Sequence, residues 1–160
     1  MDVATTPESR WSVSAIGYVS TTRAEAIDDG WGDEISTITL RQPMQVSSLL
    51  GITEFSHIEV IYLFHGVEPK SVHRGSRVPR SNPAWPVVGI LAQRAKDRPN
   101  RLGLATCELL DVSGRTIRVR GLDAIDGTPV LDIKPYMVEF GPRSPVRQPQ
   151  WSHELMANYY

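Results

Sequence analysis

The densest collection of reactive side chains lies between Gly121 and Tyr136. Asp123, Asp126, Asp132, Lys134 and Tyr136 fall there beside apolar Leu122, Ile125 and Val130. Aspartates close to an ammonium and a phenol can orient or accept a proton and hold an anionic group. The same run is also a turn with a mechanism. In Asp126-Gly127-Thr128-Pro129 the glycine takes positive φ and the proline blocks ladder pairing. On this second reading Asp126 caps the turn and Asp132 pairs with Lys134. Residue type and spacing leave both readings open.

A second cluster is cationic. From Glu68 to Arg101 the residues Lys70, Arg74, Arg77, Arg80, Arg94, Lys96, Arg98 and Arg101 face only Glu68 and Asp97. From Arg23 to His57 the balance reverses, with Glu25, Asp28, Asp29, Asp33, Glu34 and Glu54 against Arg23 and Arg41. A basic tract inside a chain of net charge −1 points to one surface for an anionic partner, or to a loop kept solvated by its charge. Within it, Pro99 restricts the backbone and Asn100 favours a turn, so Arg94 and Arg98 would be presented as fixed donors.

Other chemistries are excluded. On one strand His57 and His65 would stand roughly 26 Å apart, too far to share an ion, so no metal site is expected. His65 alone, at a strand exit before a long loop, is a candidate pocket residue. Cys107 is the single cysteine, which removes disulfides and multi-cysteine zinc motifs; within a strand it reads as a buried thiol. There is no Gly-x-Ser-x-Gly elbow, Walker loop or Gly-x-Gly-x-x-Gly. A nucleotide-like ligand here needs a fold other than the Rossmann sheet.

The elements that must position these residues are short strands. The 160 residues fit one domain, with a core at about 13–140 and a C-terminal tail at 141–160. Twelve glycines and 12 prolines are more punctuation than a helical bundle tolerates. Strand patterns run over Val13–Ser20, Ser36–Leu40, Ile58–Phe64, Val87–Leu91, Ala105–Val112 and Thr116–Leu122. The last two flank the hairpin loop Ser113-Gly114-Arg115. Pro43–Leu50 reads as two helical turns with Met44, Val46 and Leu49/Leu50 inward. The stretches from Gly66 to Pro86 and from Gly141 onward read as irregular, with Trp151, Tyr159 and Tyr160 either packing across a subunit interface or hanging free. The expected class is mainly β, a small antiparallel β-barrel with long loops and little helix. Met1 to Trp11 lacks a signal-peptide pattern and no apolar run suits a membrane span, so a soluble, cytoplasmic chain is expected.

Several of these motifs together resemble a known family. They are Arg98-Pro99-Asn100-x-x-Gly103-Leu104, Gly121-Leu122-Asp123-x-x-Asp126-Gly127-Thr128-Pro129-Val130-Leu131-Asp132-Ile133-Lys134-Pro135-Tyr136, and Glu54-Phe55-Ser56-His57-Ile58 followed by Phe64-His65. The resemblance, over Ile16 to Tyr136, is to the TsaA-like family, also called YaeB or TrmO. It implies a small β-barrel methyltransferase that uses S-adenosylmethionine (S-adenosyl-L-methionine) and works as a homodimer with the pocket near the subunit interface. The implied substrate is N6 of the threonylcarbamoyl-adenosine next to the tRNA anticodon. It further implies cofactor contacts at Arg94, Leu104, Gly121, Leu122, Asp123, His65 and Gly66, with Gly30, Trp31 and Gly32 closing the pocket. Asp126 or Asp132 would orient or accept the N6 proton, and Lys134 or Tyr136 would hold the carboxylate of the modified base. Lys70, Arg74, Arg77, Arg80, Arg98 and Arg101 would grip tRNA phosphates.

The chain departs from the family pattern in one turn. Gln93 replaces a threonine, Ala95 a serine and Arg101 a proline; these changes are expected to remove two hydroxyl donors and to loosen the turn. Few residues follow Tyr136, where longer members carry a further subdomain that helps with tRNA. The alternative function is therefore an S-adenosylmethionine-binding barrel or small-molecule methyltransferase that does not use tRNA. A purely structural dimer module ranks last.

Overall fold

The computed structural model describes residues 9–160; residues 1–8, part of the segment read for a leader signal, lie outside it. Six strands close a barrel in the order β1-β2-β7-β6-β3-β8. They are β1 (Gly17–Ser20), β2 (Ile35–Leu40), β3 (His57–Leu63), β6 (Leu102–Ser113), β7 (Thr116–Arg120) and β8 (Pro129–Pro135). Each neighbouring pair is antiparallel, and β8 returns to β1 through Val130 opposite Gly17, so no barrel edge is left open. A small outlying ribbon pairs β4 (Ser76–Arg77) with β5 (Val88–Gly89).

Alternation fills the interior. In β3 the inward residues are Ile58, Val60 and Tyr62; β6 sends in Ala105 and Cys107, β7 Ile117 and Val119, and β2 Ile38 and Leu40. All of them are buried, as period-two patterning demands where one face of a sheet lines a core. Tyr62 is the largest fully buried side chain, and it lies against Gly103 on the partner strand, where a β-carbon would run into its ring. Glycine at position 103 is what lets β6 pass over that phenol. Burial pushes the Cys107 thiol up to about 12, with nearby Asp123 adding to it, so at neutral pH it is an un-ionised core group.

Several expectations need correction. Strand β1 is confined to Gly17–Ser20 rather than starting at Val13. Pro43–Leu50 is not two helical turns but a single 3-10 turn at Val46–Leu49, and only Leu49 is buried; Val46 is 49% and Leu50 90% exposed. The Ser48 hydroxyl donates to the Gln45 carbonyl at 2.7 Å, a local bond that competes with helix propagation. Within Val87–Leu91 only two residues pair before the chain turns at Ile90–Ala92. The C-terminal stretch is not irregular throughout. It forms the only α-helix among the described residues, α1 (Gln150–Met156), and folds back on its own chain. Trp151 packs against Trp85, and the Trp85 indole N–H donates to Glu154 at 2.8 Å. No helix among the described residues is long and apolar enough to cross a membrane.

Candidate ligand cavity

At the end of the barrel where β3 stops and β6 and β8 begin, a large open cavity of about 1790 Å³ is framed by four segments. One wall is the barrel rim: Tyr62, Phe64, His65, Gly66, Leu102, Gly103 and Leu104, with Asp123, Ala124 and Ile125 from the loop between β7 and β8. A second wall is the acidic loop from Glu25 to Trp31, and a third runs from Arg77 to Pro99. The fourth is α1 with the residues after it, including Tyr159 and Tyr160.

Asp123 is the polar centre. The Tyr62 hydroxyl donates to its Oδ1 at 2.7 Å and reaches its main-chain oxygen at 3.0 Å. The Tyr159 hydroxyl donates to Oδ2. Burial first, and the Asp123 charge second, hold both phenols well above the ordinary tyrosine value, so both remain hydrogen-bond donors at physiological pH. Sequence reasoning missed Tyr62 and Tyr159 as site residues. Tyr62 carried a signal, because a tyrosine at an inward strand position must find a partner for its hydroxyl.

Arg94 reaches the rim and donates to the Leu104 carbonyl at 2.6 Å, which fixes its guanidinium at the cavity mouth. Gln93, in place of the family's threonine, is buried and donates to the Arg77 and Val88 carbonyls at 3.0 and 3.1 Å, clasping the β4–β5 ribbon. Arg101 stands where the family has proline, yet its φ is +52°, a conformation the proline ring forbids. Its guanidinium donates to the Val67 carbonyl at 2.6 Å, so the turn is pinned rather than loosened.

The loop Arg23–Gly32 is organised by one residue. Arg23 donates to the carbonyls of Gly30 and Asp29 at 2.8 and 2.9 Å and lays its guanidinium 3.6 Å over the buried Trp31 ring. Of the residues expected to touch the cofactor, Trp31, His65, Gly66, Arg94, Leu104 and Asp123 line the cavity. Gly30, Gly32, Gly121 and Leu122 do not; the two glycines of the loop support the chain after α1, and Gly121 and Leu122 are buried behind Asp123.

The structure does not bring Asp126, Asp132, Lys134 or Tyr136 to this cavity. Asp126 accepts the Thr21 amide at 3.1 Å, which ties the turn to the end of β1. Lys134 and Asp132 pair at 2.8 Å on the outer surface, which raises the lysine's pKa. Strand β8 carries Asp132, Lys134 and Tyr136 away. Val130 opposes Tyr62 at the rim, whereas Pro135 opposes Ile58 and the Tyr136 amide binds the His57 carbonyl at the far end of β3. At 3.2–3.4 Å per residue, the step from Tyr62 to His57 is roughly 16 Å.

The basic tract is heavily committed within the chain. Arg77 holds Asp97 through two contacts of 2.5 Å, and this pairing outweighs the upward push of burial and keeps the Asp97 carboxyl below its ordinary value. Arg80 reaches Asp29 at 3.0 Å, Arg98 the Gln93 carbonyl at 2.7 Å, and Lys70 an exposed Glu68 at 2.8 Å. Arg77, Arg80 and Arg98 line the cavity, while Lys70, Arg74 and Arg101 stand outside it.

Residues 27–141 match the family model described as the tRNA-methyltransferase O N-terminal domain. The chain belongs to that family. It is 37% identical over 113 residues to the human tRNA (adenine(37)-N6)-methyltransferase, covering 71% of this chain and 25% of that protein. A probable S-adenosyl-L-methionine-binding protein of Methanothermobacter thermautotrophicus is 44% identical over 97 residues, or 59% of this chain and 64% of the relative. The crystal structure of TrmO from Pseudomonas aeruginosa superposes with a TM-score of 0.70 at 29% identity, covering 87% of this chain and 62% of that one. The chain thus spans a quarter of the human relative and under two thirds of the bacterial structure. The family match contains Trp31, Tyr62, Arg94 and Asp123 and ends before α1 and the two tyrosines that follow it.

Proposed function

We propose that this TrmO-family domain binds S-adenosylmethionine in the cavity beside Asp123 and transfers its methyl group to N6 of an adenine next to the tRNA anticodon, in the form of threonylcarbamoyl-adenosine. The observation that carries the reading is the donor set within the family-matched region. A carboxylate fixed by a buried phenol suits the vicinal hydroxyls of a ribose, a guanidinium at the mouth suits an amino-acid carboxylate, and aromatic rings between them suit an adenine. Bound S-adenosylmethionine supplies a sulfonium methyl, which is transferred by in-line displacement, so the chain contributes mainly positioning. Asp123 and Arg94 hold the two ends of the ligand, and Trp31, His65, Gly66 and Leu104 shape the space between them.

The acceptor nitrogen gains a methyl group and gives up a proton. Asp132, Lys134 and Tyr136 lie along and beyond β8, away from the cavity, and Asp126, between the lining residues Ile125 and Thr128, is engaged by the Thr21 amide. His65 lines it where β3 ends, and we assign the proton-accepting role to its imidazole. We also propose a homodimer, because Leu91, Leu102 and Leu104 leave apolar surface exposed around the cavity mouth.

A second reading is a barrel that binds the same cofactor but methylates a small molecule. The commitment of Arg77, Arg80, Arg98 and Arg101 to carboxylates and carbonyls of the chain itself favours it. The deciding experiment incubates the protein with methyl-labelled S-adenosylmethionine and tRNA with or without the threonylcarbamoyl group. Label recovered at N6 of the modified adenosine alone supports the first reading. Label recovered in no tRNA, from protein that binds the cofactor, supports the second.

A further inference from the structure

The segment after α1 is held by the residues expected to close the cofactor pocket. The amides of Gly30 and Trp31 donate to the carbonyls of Asn158 and Tyr159 at 3.0 and 2.8 Å, a short strand-like clasp. At Gly32 a β-carbon would come within 2.6 Å of the Tyr160 carbonyl carbon, so only glycine lets the two backbones approach this closely. The Tyr159 hydroxyl then reaches across to Asp123, whose other oxygen is held by Tyr62. Both carboxylate oxygens of the cavity's central acid thus accept from the protein. The two donors differ in kind: Tyr62 is locked in the barrel core at 1% exposure, whereas Tyr159 follows residues 156–158, all of which are exposed.

We infer that residues 157–160 form a displaceable strap, and that Tyr159 competes with the hydroxyl groups of an adenosine-type ligand for Asp123. This inference rests on the cavity reading given above. It adds that the free chain holds its site closed and that ligand binding and strap seating are linked with opposite sign. If the strap is seated nine-tenths of the time, apparent affinity falls roughly tenfold below its intrinsic value. The acidic loop Arg23–Gly32 is then the seat of the strap, and its contact with the ligand follows only after the strap leaves.

The test uses the full chain, Gly32→Ala, Tyr159→Phe and a chain ending at Met156, with S-adenosylhomocysteine as the probe. Amide hydrogen exchange at Gly30 and Trp31 reports seating, and calorimetry reports affinity. Gly32→Ala places no residue at positive φ, and the new methyl meets Tyr160 of the strap first, so it separates unseating from loss of the tail. The expected result is faster exchange at both amides when ligand is added to the full chain, with up to tenfold tighter binding in all three variants. Weaker binding in the variants, or slower exchange at the amides on ligand addition, would make the segment a fixed wall of the site and overturn the inference. Unchanged affinity in the variants would overturn it as well. Binding by the variants but not by the full chain supports it. Binding by none of the four proteins defeats the cavity reading itself and the strap with it.

Discussion

Replacing Tyr62 by Phe removes one oxygen atom from the barrel core and nothing else. The ring keeps its burial and its edge-on packing at 5.3 Å from Phe64, so little apolar contact changes. What disappears is the hydroxyl that donates to Asp123 Oδ1 at 2.7 Å and to its main-chain oxygen at 3.0 Å. A hydrogen bond to a charged acceptor contributes about 1.5–3 kcal/mol net, and the half-buried carboxylate left behind is still partly served by Tyr159 and solvent. The expected loss is therefore about 2 kcal/mol. For a chain of this size that corresponds to a fall in Tm of about 4–8 °C. Urea unfolding at neutral pH measures it directly, with an unchanged m-value showing that the native state is still compact. Tyr159→Phe is the internal control. It removes the second hydroxyl on the same carboxylate from a peripheral segment, and the global transition should move by less than about 0.5 kcal/mol. A Tyr62→Phe loss below about 0.5 kcal/mol would refute the claim that this phenol anchors Asp123. Equal losses in the two variants would refute the distinction between a core anchor and a peripheral strap.

Gly103→Ala should destabilise by about 1–3 kcal/mol, because the new methyl meets the Tyr62 ring in a filled core; a shift within about 0.5 kcal/mol in thermal unfolding would mean the ring can move aside freely. Asp97 has a lowered folded pKa, so its pairing with Arg77 stabilises above the unfolded value of about 3.9 and is lost as pH falls below it. Asp97→Asn should therefore unfold at lower urea than the parent at pH 7, with the gap narrowing as pH falls below about 3.9 and closing once the folded carboxyl is protonated; a gap independent of pH contradicts this. Tyr62 and Tyr159 have raised folded values, so their contribution is complete below about pH 10 and declines above it as the unfolded phenols ionise. Tyrosinate absorbance during an alkaline titration should show both titrating only with unfolding or strap release, and Tyr62→Phe should flatten the loss of stability above that pH.

The barrel was readable from the chain because inward and outward residues alternate cleanly in β2, β3, β6 and β7. The Asp-Gly-Thr-Pro turn was readable for its residue chemistry. Strand β8 was harder, since a run from Pro129 to Pro135 with Asp132 and Lys134 inside it looks like polar loop. Asp126 to Tyr136 read as one cluster because they are close in sequence, whereas the extended strand puts Val130 beside Tyr62 and Pro135 beside Ile58. Helix α1 was missed for a different reason. Seven residues cannot hold a helix by local propensity, and this one is held by Trp85 contacts made across the chain. The clasp between the strap and Gly30 and Trp31 is likewise main-chain hydrogen bonding between distant segments, which no local pattern announces.

Isothermal titration with S-adenosylmethionine decides whether the cavity beside Asp123 is a cofactor site. The expected result is saturable binding near one ligand per chain at micromolar Kd, about −8 kcal/mol, with at least tenfold weaker binding in folded Asp123→Asn and Arg94→Ala. Absence of binding by the folded parent protein, or parent-like affinity in both variants, would contradict it.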